Sequence, residues 1–158
     1  MFGKKYSPVF ICLAFILLAA VVIFPLKETT GKDNYYLTLM GDSSTWEIHN
    51  YQLKIMPERL IAGDGELHMK DTDEFQSEFF SFDVYAVINN EDRKIQGKSV
   101  SGHVNMADMT TGRVEGGTYF NNKGQPITLE DVNEIYAVVE WYDPSKEKQV
   151  SEKIVLYG

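Results

Sequence analysis

From Phe79 to Asn89 the chain alternates with a period of two. Phe80, Phe82, Val84, Ala86 and Ile88 fall on one side, and Ser81, Asp83, Tyr85 and Val87 on the other. A helix would scatter these residues around its circumference, whereas a strand gathers the first set on one face. Tyr85 and Val87 make the second face partly apolar, which predicts a central strand covered on both sides. The same periodicity recurs along the chain. Strands are predicted at Tyr35–Met40, Thr45–Met56, Lys94–Val104, Arg113–Phe120, Ile135–Tyr142 and Val150–Tyr157. Within Thr45–Met56 the phase changes: Trp46 and Ile48 share one parity, and Tyr51, Leu53 and Ile55 the other. That slip predicts a bulge or bend near His49-Asn50. Leu60–Ala62 and Glu66–Lys70 flank Gly63-Asp64-Gly65, which reads as a tight hairpin. Met106 and Met109 suit a gap between sheets. Thr128-Leu129-Glu130-Asp131 has capping-box spacing and predicts one helical turn ending near Asn133. The expectation is an all-β sandwich of seven to nine strands over residues 35–158, immunoglobulin-like or fibronectin-III-like in layout.

Ahead of this domain, Val9–Leu26 is an uncharged apolar run of 18 residues. As a helix it would extend about 27 Å, close to the thickness of a bilayer's hydrocarbon core. Its residues are apolar all round rather than striped, which argues against a buried core helix of the domain. Lys4 and Lys5 precede it and favour a cytoplasmic N-terminus, with the rest translocated. An Ala-x-Ala cleavage pattern is missing, because Leu18 occupies the partner position of Ala20. The expected organisation is a transmembrane anchor at 1–27, a polar stalk at 28–34 and an exterior domain at 35–158. Secretion after signal cleavage is the alternative. Cys12 is the only cysteine and lies too early, behind Val9-Phe10-Ile11, for bacterial lipidation. The exterior domain therefore has no disulfide or thiol chemistry.

All 23 acidic residues and 13 of the 15 basic ones lie beyond Leu26, so that part is ten charges negative. Nucleic acid and anionic lipid both need a basic face, and neither is an expected ligand of the domain. The expected partners are the membrane, through the N-terminal helix, and a protein or cell-envelope component. No cofactor is expected.

Few residue patterns suggest chemistry. His49, His68 and His103 have no metal-ligand spacing with one another or with cysteine; a metal at His49 and His68 would require both to face one groove. Asp71, Asp73 and Glu74 supply hard oxygens but lack the loop glycine of an EF-hand. Ser145-Lys146-Glu147-Lys148 has Ser-x-x-Lys spacing, without its companion motifs and in a Pro-containing turn. Tyr136, Val138, Glu140 and Tyr142 share a strand face. Tyr136, Glu140 and Tyr142 form a candidate sugar-binding platform, with a partly exposed sheet face as the plainer reading. A glycosidase would need a second carboxylate at a defined distance. The expectation is a non-catalytic binding or envelope-associated module. A carbohydrate-binding module and a metal-dependent protein or enzyme are the alternatives.

Leu39-Met40-Gly41-Asp42-Ser43-Ser44-Thr45-Trp46 reads as Leu-x-Gly-(Asp/Glu)-Ser-x-x-Trp before a strand. With Phe79-Phe80-Ser81-Phe82, Met109-Thr110-Thr111-Gly112 and Val139-Glu140-Trp141, it resembles small extracytoplasmic proteins of Gram-positive bacteria, often lipoproteins. The resemblance covers most of residues 35–157. It implies a cell-surface sandwich and supplies no catalytic residues. Cys12 departs from the lipoprotein form. In physical terms Gly41 is expected to permit a turn, Asp42 or Ser43 to bond backbone amides there, and Trp46 to plug the core.

Overall fold

The computed structural model describes residues 34–158; the anchor at 1–27, the stalk up to residue 33 and Cys12 lie outside the described residues. No helix among the described residues is long and apolar enough to cross a membrane. Among the described residues ten strands occur: β1 (Tyr35–Asp42), β2 (Trp46–Met56), β3 (Arg59–Gly63), β4 (Glu66–Met69), β5 (Gln76–Ile88), β6 (Glu91–Asn105), β7 (Asp108–Thr110), β8 (Arg113–Gly116), β9 (Val132–Asp143) and β10 (Lys148–Tyr157). All pairings are antiparallel, in two sheets. One sheet is ordered β10-β9-β5-β6. In the other, β2 pairs with β1 along one edge and with β3 and β4 end to end along the opposite edge; β8 and β7 then pair with β3 and β4.

The inner faces follow the alternation. Phe80, Phe82, Val84, Ala86 and Ile88 of β5 are buried, as are Ile135, Ala137, Val139 and Trp141 of β9. They meet Trp46, Ile48, Tyr51, Leu53 and Ile55 of β2 and Leu67 and Met69 of β4 in one core. Each large side chain fully buried there contributes roughly 1.5–3 kcal/mol. Trp46 packs edge to face on Trp141, with centroids 5.5 Å apart, and tilts against Phe80 at 5.9 Å. Met106 is fully buried, and Met109 packs partly buried against the core.

The phase change in β2 is a bulge. Leu39 pairs with Tyr51 and Gly41 with Ile48, so β2 has one extra residue. Asn50 takes a left-handed φ of 56°, and inward pointing resumes at Tyr51. Gly63-Asp64-Gly65 corrects the predicted hairpin. β3 and β4 both run antiparallel to β2 and so share a direction; the chain reverses instead at Pro57-Glu58, between paired Met56 and Arg59. Asp64, at φ 56°, marks an interruption in one continuous line of strand. Turns and bulges both demand positive φ, so glycine and aspartate signal either. Thr111-Gly112 interrupts the line of β7 and β8 at the same level. The tenth strand, where seven to nine were expected, is β7, which pairs with β4 in a stretch where no strand was predicted. The helical turn is a 3₁₀ turn at Leu129–Asp131, with the Thr128 amide donating to the Asp131 carboxylate at 2.8 Å.

The breaks align, and a buried polar network spans them. Gly65 N–H donates to Thr111 Oγ1 at 2.9 Å, Thr111 N–H to Gly65 O at 2.8 Å, and Asp64 N–H to Gly112 O at 2.7 Å. From β6 in the facing sheet, buried Gln96 donates through Nε2 to Thr111 O at 2.8 Å and accepts at Oε1 from the Tyr51 hydroxyl at 2.6 Å. Burial raises the pKa of Tyr51 and keeps it a phenol that donates. A Cβ on Gly63 would lie 2.0 Å from Gly112 O, so only glycine admits this approach of two backbones. Gln96→Ala should cost about 2–4 kcal/mol, since it orphans the Tyr51 hydroxyl and the Thr111 carbonyl. Tyr51→Phe should cost about 1–3 kcal/mol. Urea unfolding checks both; a loss for Gln96→Ala no larger than for an exposed change such as Gln149→Ala would reject the network's role.

Candidate functional site

The motif around Gly41 is a receptor for a strand of the facing sheet. Gly41 lies within β1, where an added Cβ would stand 2.3 Å from Val155 O of β10. Its role is close approach of backbones at the edge between the sheets, and the expected turn begins only after Asp42. Ser43 Oγ accepts the Trp46 amide at 3.1 Å, and Ser43 N–H donates to Trp46 O at 2.8 Å. Asp42 pairs with Lys70 at 2.7 Å rather than with backbone amides. Trp46 is fully buried, and its Nε1 has no hydrogen-bond partner among the described residues. From β10, Glu152 accepts the Ser44 and Thr45 hydroxyls at 2.6 Å each and the Thr45 amide at 3.0 Å. Desolvation pushes the Glu152 carboxyl up, but these donors, with Ser43, outweigh it and hold its pKa below the usual range.

Tyr136, Glu140 and Tyr142 all lie on the outer face of β9. Six residues of strand separate the two tyrosines, about 20 Å. Tyr136 stacks on Tyr85 of β5, with centroids 5.3 Å apart and planes 18° apart, while Lys153 Nζ of β10 sits 3.9 Å from its centroid. Its hydroxyl donates to Asp92 at 3.0 Å, and desolvation with that bond pushes its pKa up to about 12. A sugar stacking on Tyr136 would compete with Lys153. Tyr142 lines a separate pocket of about 200 Å³ with Gln76, Glu78, His103 and Pro144. Glu140 is exposed between them, opposite Ser81 and Ser151. The strand thus presents three separated positions.

The other functional-group patterns resolve locally. Ser145 Oγ donates to Asp143 Oδ1 at 2.6 Å, and Lys146 Nζ lies 2.8 Å from Asp143 Oδ2. The serine thus serves as a turn group for a buried aspartate. Those bonds, led by Lys146 and then Ser145, hold the Asp143 pKa down at about 2. In the acidic loop, Thr72 Oγ1 donates to Glu74 O at 2.8 Å, and no metal-holding group of three or more such donors stands among the described residues.

Two sequence candidates do converge. His49 of β2 and His68 of β4 share the outer face of their sheet, with ring centroids 5.7 Å apart. They line a groove of about 400 Å³ with Glu47, Thr72, Asp73 and Asp108. Strand register places Glu47 opposite His68, His49 opposite Glu66, and Asp108 on the far side of His68. His68 Nδ1 lies 3.1 Å from Asp108 Oδ1. Asp108 and Glu152 escaped sequence reasoning because each acts on a residue distant in sequence.

No family model, curated protein or solved structure matches this chain.

Two outcomes follow. Glu152→Ala should cost about 1 kcal/mol, since the Ser44 and Thr45 donors it releases are exposed or partly buried and rebond to water, measured by urea unfolding. Asp143 contributes stability above its unfolded pKa near 3.8 that is lost as pH falls toward about 2. The fall of Tm between about pH 4 and 2 should be shallower in Asp143→Asn than in the parent; superimposable slopes would contradict this.

Proposed function

We propose that this chain is a single-pass membrane protein, with residues 1–27 as an uncleaved anchor, a cytoplasmic N-terminus and a non-catalytic binding domain outside the cell. The carrying observation is the apolar run Val9–Leu26 behind Lys4 and Lys5, joined through a short polar segment to a strongly acidic β-domain. The resemblance to small extracytoplasmic Gram-positive proteins points the same way. The partner is a protein or another envelope component. The groove lined by Glu47, Thr72, Asp73 and Asp108 supports this reading. It lies toward the Asp42–Glu47 end of the strands, whereas the described chain enters β1 at Tyr35, paired with Ile55 at the other end.

The layout is fibronectin-III-like in this proposal. Between β5 and β9 one interrupted line, β7 and β8, returns to the sheet of β2, while β6 stays beside β5. The constant-type immunoglobulin order returns two strands, D and E, at that point. β1 is then an addition to the edge of β2.

A second reading, carbohydrate or cell-wall binding, rests on Tyr142 beside Glu78 and His103 in their small pocket. Protease treatment of protoplasts tests the address. The domain should be digested while an N-terminal tag stays protected and membrane-bound. A soluble product beginning near residue 28 would replace the anchor with a cleaved signal, and a protected domain would overturn the exterior placement. A photo-crosslinker at Thr72 should capture a reproducible protein or envelope component. Crosslinks only from Tyr142, to cell wall, would favour the second reading.

A further inference from the structure

We infer that His49 and His68, with Glu47 and Glu66, form a binding site for a zinc-class divalent transition-metal ion on the outer face of β2 and β4. Alternate residues of a strand share a face, so Glu47 and His49 project together from β2, as do Glu66 and His68 from β4. Antiparallel register sets each histidine opposite the other strand's glutamate. The result is a two-by-two grid of two imidazoles and two carboxylates, with no basic residue in it. Imidazole nitrogen with carboxylate oxygen is a donor set for zinc and its neighbours rather than for calcium, which takes oxygen alone.

The spacings are slightly wider than those of donors that share an ion. His49 Nε2 lies 3.5 Å from Glu47 Oε2, and His68 Nε2 lies 3.7 Å from Glu66 Oε2. These are long for hydrogen bonds. Two donors each about 2.0–2.1 Å from a tetrahedral ion stand about 3.3 Å apart, slightly closer than these pairs. Two imidazoles on such an ion place their centroids about 5 Å apart; here they are 5.7 Å apart. No three donors yet surround one point among the described residues. Binding therefore draws the rings together by side-chain rotation, which their half-exposed positions and the open groove permit.

Asp108 adds an independent observation. Its carboxylate lies 3.1 Å from His68 Nδ1. A proton held on Nδ1 leaves Nε2 as the lone-pair donor, the arrangement that carboxylates impose on metal-ligating histidines. Asp108 is then a positioning residue. Asp73, also lining the groove, adds negative potential that favours a cation. The site rests on the domain's own surface and does not depend on where the chain resides in the cell.

Titration calorimetry of the full-length chain in detergent tests the inference, using zinc chloride and calcium chloride. One zinc ion per chain should bind, with calcium neither binding at the site nor displacing it. His49→Ala and His68→Ala should each weaken binding at least about 10-fold, and Asp108→Asn should weaken it by about 10-fold. His103→Ala should leave it unchanged. Circular dichroism of each variant checks folding, and His49→Gln and His68→Gln replace any alanine variant that unfolds. Histidine ring proton shifts on zinc addition should be confined to His49 and His68. Absence of binding at about 0.1 mM zinc, or binding that survives both histidine substitutions, would overturn the site.

Discussion

One buried side-chain amide holds the two sheets in register. Gln96 reaches from β6 to the level where the facing sheet is interrupted, bonding Thr111 O and Tyr51 Oη. At that level β2 bulges at Asn50, the line of β3 and β4 breaks at Gly63-Asp64-Gly65, and that of β7 and β8 at Thr111-Gly112. An interrupted ladder releases backbone donors and acceptors, and a buried one left unpaired costs about 1–3 kcal/mol. The reciprocal Gly65–Thr111 pair and the Asp64–Gly112 bond recover most of them. Gln96 recovers another from the opposite sheet. The interruption and its repair are thus one feature distributed over six strands and two loops.

The groove depends on that feature. Without the bulge at Asn50 the two halves of β2 could not both point apolar residues inward, because Trp46 and Ile48 differ in parity from Tyr51, Leu53 and Ile55. The bulge lets both halves face the core and leaves His49 outside, one residue before it. The break at 63–65 separates β4 from β3 and sets Glu66 and His68 against His49 and Glu47. Strain at positive φ and exposed titratable side chains therefore occupy neighbouring positions. At the nearby sheet end, Glu152 fastens β10 to the Ser44-Thr45 turn, a second polar tie between the sheets.

Legibility varied with how local each cause is. The inward faces of β5 and β9 and the bulge in β2 follow from side-chain period alone, and the structure has them. Gly63-Asp64-Gly65 misled because a chain reversal and a strand break draw on the same positive-φ residues. Gln96 carries no mark in the sequence. A glutamine between Ile95 and Gly97 reads as outward-facing, and only the register shift against Val84 and Tyr85 turns it inward beside Ile95. Gly41 was legible as a glycine with a purpose, but the purpose, contact with Val155 O, belongs to a strand more than a hundred residues away.

Residue order alone carries the strand periods, the inner-face phases of β2, β5 and β9, the acidic surface and the separate apolar run. Each is written in neighbouring residues and needs no partner to be read. Tertiary structure alone decided which strands lie side by side, and so which polar groups meet. His49, His68 and Asp108 stand together because β2, β4 and β7 are consecutive in one sheet. Gln96 is buried because an edge strand of one sheet closes over a break in the other. Period is a local property of the chain, whereas adjacency is fixed only by burying one continuous core between two sheets.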